Sequence, residues 1–462
     1  MVYVSDNHPN TDVPNAVNYS RNTNSKGTNK MGIMECFLII LILIVVIRAV
    51  NERFIHMQGD IALVLFSSVI SVGLIIAANI AGDCAFTNVV KSIGSFGFSE
   101  YLLDGVLCFM LFSGAGKVNF RKFKSNIKTI SLLALITTVI SSAVYGLLFW
   151  AAGFIFGIKL DVWLCILLGC IVSPTDPIAA TGILNKLGLS KNVTSVIESE
   201  SLFNDGTGVA LFLFVKSIVS RSGEANFLLV MLKEVLGALA VALVVSFLLF
   251  KLMTLTKNPV SRIIISLLDV SLCYAVCEKF GFSGIIASVV CGMYFSYMTD
   301  KKFDSISITD PEGVYRSFWD AAEEILNSIL FVMIGLSLLS AKVSEFIWFI
   351  IPAAIIIGLV SRFAGVMTAG AITGKRHIPG NYNLPEYSAL MTWTGLKGGL
   401  SLALAMSTAE FLGASEYLLA VNLAYATIFF TTIVQGLTTK IVYQRIERKK
   451  ALRLRKESEE VN

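Results

Sequence analysis

Long apolar runs separated by short polar segments dominate the chain. We count thirteen apolar runs of about twenty residues, the length that spans a bilayer as an α-helix. They predict transmembrane helices near 32–50, 61–82, 98–116, 129–157, 163–187, 193–219, 226–251, 260–279, 283–299, 318–340, 346–371, 387–408 and 415–441. The longest connection falls near 300–317, so the function must lie within the helical bundle.

Composition strengthens this prediction. Of 462 residues, 55% are hydrophobic and 15% are charged, and the mean hydropathy is +0.74. Soluble domains carry about 25% charged residues. A soluble enzyme, a disordered regulator and a nucleic-acid binder are therefore excluded as descriptions of the whole chain. A β-barrel is disfavoured because its strands would be short and alternating. We predict an all-α polytopic membrane protein.

The two ends of the chain differ from the bundle. Residues 1–31 are polar and rich in Asn and Ser, which predicts a disordered tail and no signal peptide. The transmembrane domain is predicted at 32–441, and a basic, charged tail at 442–462.

The basic residues predict the orientation. Of 37 Lys and Arg, 25 fall in the odd-numbered loops and the C-terminal tail, whereas 6 fall in the even-numbered loops. Because cytoplasmic loops carry the excess of Lys and Arg, we expect the C-terminus in the cytoplasm and the N-terminus outside.

Cysteine and histidine predict little chemistry. The eight cysteines lie almost all in apolar runs and form no CxxC pair, which is typical of packing residues. The three histidines are far apart, so a His-based metal or catalytic cluster is not expected. The sequence predicts no cofactor.

The fifth run carries an acid between two prolines. Asp176 lies between Pro174 and Pro177, and each proline removes the helical partner of the carbonyl four residues earlier, at Cys170 and Ser173. Unwound backbone at membrane depth requires burial in protein or a cavity. Free carbonyls beside a carboxylate suit a hard monovalent cation. The alternative is a kinked helix in which Asp176 is hydrogen-bonded for packing.

The sixth run is the richest in polar groups. Ser201 and Asp205 share one helical face, and Glu200 and Asn204 share a neighbouring face. Asp205 lies about midway along the run. We interpret Glu200 as structural, paired with the buried base Arg362 of the eleventh run.

The twelfth run is interrupted by glycines. Gly395, Gly398 and Gly399 surround Lys397, and each glycine weakens a helix by about 1 kcal/mol. Interrupted helices in corresponding positions of two halves indicate the binding site in secondary transporters. The fifth and twelfth runs fit that description.

Several of these stretches resemble a known family. Residues 175–177 (Thr-Asp-Pro) and 200–206 (Glu-Ser-Leu-Phe-Asn-Asp-Gly) are similar to the signature helices of monovalent cation:proton antiporters, cation/proton antiporter-1 branch. Residues 327–336 and the glycine-rich 395–405 resemble its tenth and twelfth helices. The resemblance covers roughly residues 60–440, and this branch of the family includes NhaP-type antiporters and sodium/proton exchangers.

The resemblance implies a fold and a set of roles. The fold has thirteen helices, inverted repeats, crossed unwound helices and a homodimer. By this resemblance, Asp205 binds the proton and the cation, which is Na⁺. Asp176 supports the site, Asn204 is the helical neighbour of Asp205, and Thr175 and Ser201 supply oxygen ligands. Glu200 and Arg362 form a structural ion pair.

One position departs from the family pattern. Lys397 stands where the family usually has Arg. Arg and Lys are not interchangeable at bidentate sites, and the ammonium group of a buried lysine can lose its proton. The substitution puts the pairing geometry and the pH dependence of this helix in question.

Charge predicts the mechanism. Na⁺ and H⁺ would compete for Asp205, and alternating access would convert that competition into exchange. By resemblance, an Asn-Asp pair accompanies electroneutral one-for-one exchange. We expect a Na⁺ (or Li⁺)/H⁺ antiporter of the cell membrane that serves pH and sodium homeostasis, and no enzyme.

Three alternatives stay open. A K⁺/H⁺ antiporter of the same fold is the main rival, because selectivity depends on ligand geometry that sequence does not show. A cation channel lacks a repeated filter-like loop. An intramembrane aspartyl protease could use Asp176 and Asp205, but its Tyr-Asp, Gly-x-Gly-Asp and Pro-Ala-Leu motifs are absent.

Overall fold

The computed structural model describes residues 33–81, 106–117, 120–155, 157, 159–176, 191–220, 227–302, 311–338, 347–374 and 378–461. The N-terminal tail predicted at 1–31 lies outside them, as do Pro177 and the remainder of the fifth run.

The described chain is almost entirely helical. The helices are α1 Ile33–Val50, α2 Gly59–Ala81, α3 Leu107–Gly116, α4 Phe120–Ile155, α5 Val162–Val172, α6 Lys191–Val219, α7 Phe227–Met253, α8 Pro259–Phe280, α9 Gly284–Lys302, α10 Pro311–Ser337, α11 Ile347–Thr373, α12 Leu384–Trp393, α13 Gly399–Ser407, α14 Ala414–Phe429 and α15 Gly436–Val461. A π-helical segment, Phe430–Gln435, joins α14 to α15.

Seven of the described helices are long and apolar enough to cross a membrane, and α3, α5 and part of α9 are shorter apolar helices. The all-α polytopic prediction is confirmed. The count of thirteen spans stays a prediction.

Helices extend beyond the apolar runs that predict them, most of all at two ends. The fourth helix was predicted from residue 129 but begins at Phe120, and the last was predicted to end near 441 but continues as α15 to Val461. Hydropathy marks the membrane part of a helix, whereas Lys, Arg and Glu continue a helix well in water. Pairs such as Arg455–Glu459, at 2.9 Å, stabilise that continuation.

The helices form two packed groups. In the first, α4 packs along α5, α6 and α11, while α12, α13 and α14 complete the surroundings of the interrupted helices. In the second, α7, α8 and α9 pack on one another, and α9 also contacts α3. Both groups have their own buried apolar cluster.

Ion pairs join segments that are far apart in the chain. Arg48, in the last turn of α1, lies 2.8 Å from Glu324, and Lys117, which directly follows α3, lies 3.2 Å from Glu323; both acids lie near the middle of α10. Arg453 of α15 lies 3.2 Å from Glu386 in the first turn of α12. The C-terminal ends of α1 and α3 therefore meet the same turn of α10, and α15 packs against the start of α12. The orientation of the loops stays a prediction.

Candidate functional site

The two interrupted helices meet at their breaks. Helix α5 ends at Val172 and is followed by non-helical backbone over 173–176, while α12 ends at Trp393 and α13 begins at Gly399. The backbone N–H of Asp176 donates to the carbonyl of Leu396 at 2.8 Å. The two unwound segments therefore hydrogen-bond to each other, which satisfies some of the backbone N–H and C=O groups that lack helical partners inside the bundle.

Local sequence fixes where each helix begins. The Asp161 side chain caps α5 by accepting from the N–H groups of Trp163 and Leu164 at 2.8 and 3.2 Å. Asn383 and Glu386 form a capping box at the start of α12. Both helices thus enter the bundle in a defined register and end where proline or glycine interrupts them.

Two glycines permit close approach at the breaks. A Cβ added at Gly398 would lie 2.7 Å from an Asp176 oxygen, and one at Gly208 of α6 would meet the Pro174 ring. Helix α6 and the α12–α13 break can therefore contact the unwound end of α5 directly. At Gly206, by contrast, an added Cβ would meet open space.

A buried hydrogen-bond network ties α6 to the first break. Thr175 Oγ1 lies 3.0 Å from Ser201 Oγ and accepts from Asn204 Nδ2 at 3.0 Å. Thr138 of α4 donates to Asn204 Oδ1, so the amide is held at both ends. Asn204 is fully buried, and its hydrogen bonds orient Thr175 beside Asp205.

Asp205 and Asp176 line the same small cavity. The cavity has a volume of about 50 Å³ and also borders Thr175 and Ser401. Both carboxylates are 8% exposed. Within the described part of the chain, Asp205 forms no ion pair with a lysine or arginine, although the Thr175 backbone hydrogen-bonds to it. Carboxylate and hydroxyl oxygens are donors for a hard cation, and the volume suits one ion.

Two residues of this site, Ser401 and Thr138, were not predicted from the sequence. Ser401 lies in the first turn of α13, and its buried Oγ has no hydrogen-bond partner among the residues described. Thr138 orients Asn204 from α4. Neither residue stands out, because hydroxyl side chains are frequent in buried helices and only the packing shows which of them reach the site.

Lys397 binds the Ser173 carbonyl, one of the two that the sequence predicts to be free for a cation. Its Nζ donates to the Ser173 carbonyl at 2.8 Å, and its backbone N–H donates to Thr431 Oγ1 at 3.0 Å. A positive charge at the C-terminal end of α5 is favourable because it meets the negative end of the helix dipole. The lysine therefore supports the break and occupies one of its free carbonyls.

Glu200 faces away from the acidic cavity and contacts α11. Nη2 of Arg362 lies 2.9 Å from both Glu200 oxygens, and both residues are buried. Arg362 and Lys397 line a second cavity of about 30 Å³ that shares no lining residue with the first. Some of its buried polar atoms, which include Thr392 Oγ1 and Gln435 Oε1, have no hydrogen-bond partner among the described residues and suit one or two internal water molecules.

Comparison with known proteins places this arrangement in a family. The model of the family described as "Sodium/hydrogen exchanger, transmembrane" matches residues 61–445. The chain belongs to this family. It is therefore a multi-pass membrane transporter and not an enzyme, which excludes the aspartyl protease.

Named relatives agree with the family match. The chain is 31% identical to the Na⁺/H⁺ antiporter NhaP of Pseudomonas aeruginosa, over 86% of this chain and 93% of that protein. It is 29% identical to the Na⁺/H⁺ antiporter NhaH of Halobacillus dabanensis, over 76% and 84%. The solved sodium proton antiporter MjNhaP1 from Methanocaldococcus jannaschii shares its fold, with a TM-score of 0.68, 20% identity, and coverage of 91% and 99%.

Proposed function

We propose that the chain exchanges Na⁺, and also Li⁺, for H⁺, and that Asp205 carries both ions in turn. The observation that supports this most strongly is a buried carboxylate that borders a cavity at the meeting point of two broken helices and forms no ion pair with a described base. The relatives named as Na⁺/H⁺ antiporters support the choice of ions.

Competition follows from the charge of the site. A carboxylate inside the bilayer is costly to leave uncompensated, by about 2.5–3.5 kcal/mol on insertion scales. Either Na⁺ or H⁺ removes that charge, and one carboxylate cannot hold both. If the loaded form moves between the two sides by alternating access, each crossing carries one ion or the other, and net exchange results.

The neighbouring residues have distinct proposed roles. Asp176 and Thr175 border the cavity and supply a second carboxylate and an oxygen, while Ser201 contributes through its 3.0 Å contact with Thr175 Oγ1. Asn204 orients Thr175. The ion pair of Glu200 with Arg362 fixes α6 against α11, and Lys397 stabilises the broken end of α5.

We expect the exchange to be electroneutral. Asn204 is neutral and its amide is held by Thr138 and Thr175, so Asp205 is the one proton-carrying acid of this helical turn. One Na⁺ then moves against one H⁺. A membrane voltage imposed on proteoliposomes with saturating ions on both sides should leave the exchange rate unchanged; a voltage-dependent rate would contradict one-for-one exchange.

The proposed setting is the cell membrane, as a homodimer that serves pH and sodium homeostasis. We propose that the odd-numbered connections and the C-terminal tail lie on one common side, as the alternation of Lys and Arg along the chain predicts. We assign that side to the cytoplasm because it carries most of the Lys and Arg, which leaves the N-terminus outside.

Fluorescence dequenching in everted vesicles tests the function. Na⁺ and Li⁺ should each dissipate an imposed proton gradient, and Asp205→Asn should remove the response at unchanged protein level. Asp320→Asn is the matched control, because this acid has a largely exposed side chain, and it should retain exchange.

The same assay separates the alternatives. A response to K⁺ larger than that to Na⁺ would favour the K⁺/H⁺ antiporter. Cation flux without proton movement would favour a channel. Full exchange by Asp205→Asn would contradict the site.

A further inference from the structure

A second buried carboxylate lies in the other helix group. Asp269 is at the middle of α8 and is fully buried, as is Ser246 of α7, whose hydroxyl donates to Asp269 Oδ2 at 2.9 Å. Asp269 takes no part in the acidic cavity or in the breaks of α5 and α12. The proposed exchange leaves this group without a role.

Two thiols complete the surroundings of this carboxylate. Cys273, one helical turn after Asp269, places its Sγ 3.8 Å from Asp269 Oδ1. Cys291 reaches the same point from α9. The donor atoms of Asp269, Cys273 and Cys291 all lie within 4.8 Å of one another, and all three residues are fully buried. Helices α7, α8 and α9 thus converge on one cluster, in which Cys273 and Cys291 offer sulfur atoms and Asp269 and Ser246 offer oxygen atoms.

The charge of this cluster requires compensation. A carboxylate at the centre of the bilayer is unfavourable unless it is paired or neutralised. No lysine or arginine in the described part of the chain forms an ion pair with Asp269. Its polar neighbours are one hydroxyl and two thiols, which donate hydrogen bonds but bring no positive charge. Neutralisation must come from a proton or from a bound cation.

The donor types select the cation. Thiolates prefer borderline and soft metals, and Zn²⁺ takes four tetrahedral ligands drawn from Cys, His and carboxylate. Na⁺ prefers oxygen donors alone. The cluster of Asp269, Cys273, Cys291 and Ser246 therefore differs chemically from the all-oxygen cavity at Asp205.

We propose that Asp269, Cys273 and Cys291, with Ser246 as a weaker fourth donor, bind one divalent thiophilic metal ion of the Zn²⁺ class. Binding releases two protons to solvent from the three acidic ligands, so that the two positive charges of the metal balance two ligand charges, and the third ligand keeps its proton. The ion joins α7, α8 and α9, which stabilises this helix group independently of transport.

Cadmium is the probe, because Cd²⁺–thiolate bonds give an ultraviolet charge-transfer band. Full-length protein is produced in zinc-depleted medium, purified, incubated with Cd²⁺ over a long equilibration because the cluster is buried, and desalted. Bound metal is then measured by mass spectrometry. We expect a single Cd²⁺ ion per chain, a charge-transfer band, and a higher melting temperature than that of the metal-free protein.

Variants identify the ligands. Cys273→Ala, Cys291→Ala and Asp269→Asn should each lose the ion and the rise in melting temperature. Cys277→Ala is the matched control, because this buried cysteine lies one turn further along α8 and outside the cluster, and it should keep both. Na⁺/H⁺ exchange by the cluster variants, measured alongside, shows that they are folded.

Two outcomes would overturn the proposal. Wild-type protein that binds no Cd²⁺ and shows no charge-transfer band would leave Asp269 as a protonated acid hydrogen-bonded to thiols; this result needs no variant. Equal Cd²⁺ binding by wild type, Cys273→Ala and Cys291→Ala would place the metal elsewhere. Both outcomes are independent of whether Asp205 carries Na⁺.

Discussion

Glu200 and Asp205 are two buried acids little more than one turn apart on α6, with opposite surroundings. Glu200 is fully buried, and both its oxygens lie 2.9 Å from Nη2 of Arg362. Asp205 borders a cavity and forms no ion pair with a base in the described regions. The spacing turns the two side chains toward different faces of the helix.

This contrast separates a structural acid from an exchanging one. The charge of Glu200 is compensated by a group that cannot leave, since arginine stays protonated and is anchored in α11. Asp205 has no such anchored base within ion-pair distance among the described residues, so an ion that enters the cavity can compensate its charge. A helix that places one acid against a fixed base and another beside a cavity can therefore keep its fold while one acid changes ligand.

Breaking the fixed pair should have the largest effect on stability. Arg362→Met leaves Glu200 buried without its partner, which costs about 3–5 kcal/mol. We expect a much lower melting temperature in detergent, which fluorescence-detected gel filtration would measure. Exchange per folded molecule should change little.

The double variant sharpens this prediction. Glu200→Gln with Arg362→Met removes both charges and should recover most of the lost stability. A double variant that folds well but does not exchange would give the pair a direct role in transport and would contradict the proposed division between the two acids.

Removing the support of the α5 break should have the next largest effect. Lys397→Met takes away the ammonium group that binds the Ser173 carbonyl at 2.8 Å. A hydrogen bond to a charged group contributes about 1.5–3 kcal/mol, so the melting temperature should fall clearly but less than for Arg362→Met.

Lys397→Arg is the matched control for this position. It keeps a positive charge and a donor and should retain exchange. It also tests titration of the lysine, because arginine does not release its proton. If Lys397→Arg abolishes exchange without destabilising the protein, proton release from Lys397 belongs to the transport cycle.

Ser401→Ala should have the smallest effect, confined to cation affinity. Its Oγ borders the cavity with both carboxylates. Loss of one oxygen ligand worth about 1 kcal/mol raises the apparent KM for Na⁺ by roughly fivefold at unchanged maximal rate. Ser407→Ala controls for the helix, since Ser407 Oγ bonds to the Leu404 carbonyl at 2.8 Å. Equal KM values for both variants would remove Ser401 from the site.

The broken helices could be predicted from sequence because their causes are local. Pro174 removes one helical hydrogen-bond donor, and the three glycines around Lys397 each weaken the helix by about 1 kcal/mol. The helical period also separates the faces of Glu200 and Asp205. These features need no knowledge of the neighbouring helices.

The contacts across helices could not be predicted in the same way. The bond from Lys397 to the Ser173 carbonyl, the role of Thr138, and the meeting of Asp269 with Cys291 each join residues that only tertiary packing brings together. An apolar run with a single cysteine or hydroxyl is compatible with many packings, so the sequence indicates which groups are buried but not which of them meet.

The pH dependence of Na⁺ affinity tests most directly whether Na⁺ and H⁺ compete for Asp205. Radioactive Na⁺ uptake into proteoliposomes is measured over a range of Na⁺ concentrations at several pH values. If protonation of one carboxylate excludes Na⁺, the apparent KM should rise by about tenfold for each unit of falling pH on the acidic side, while the maximal rate at saturating Na⁺ stays constant. An apparent KM that does not change with pH, together with a falling maximal rate, would contradict competition at a single carboxylate.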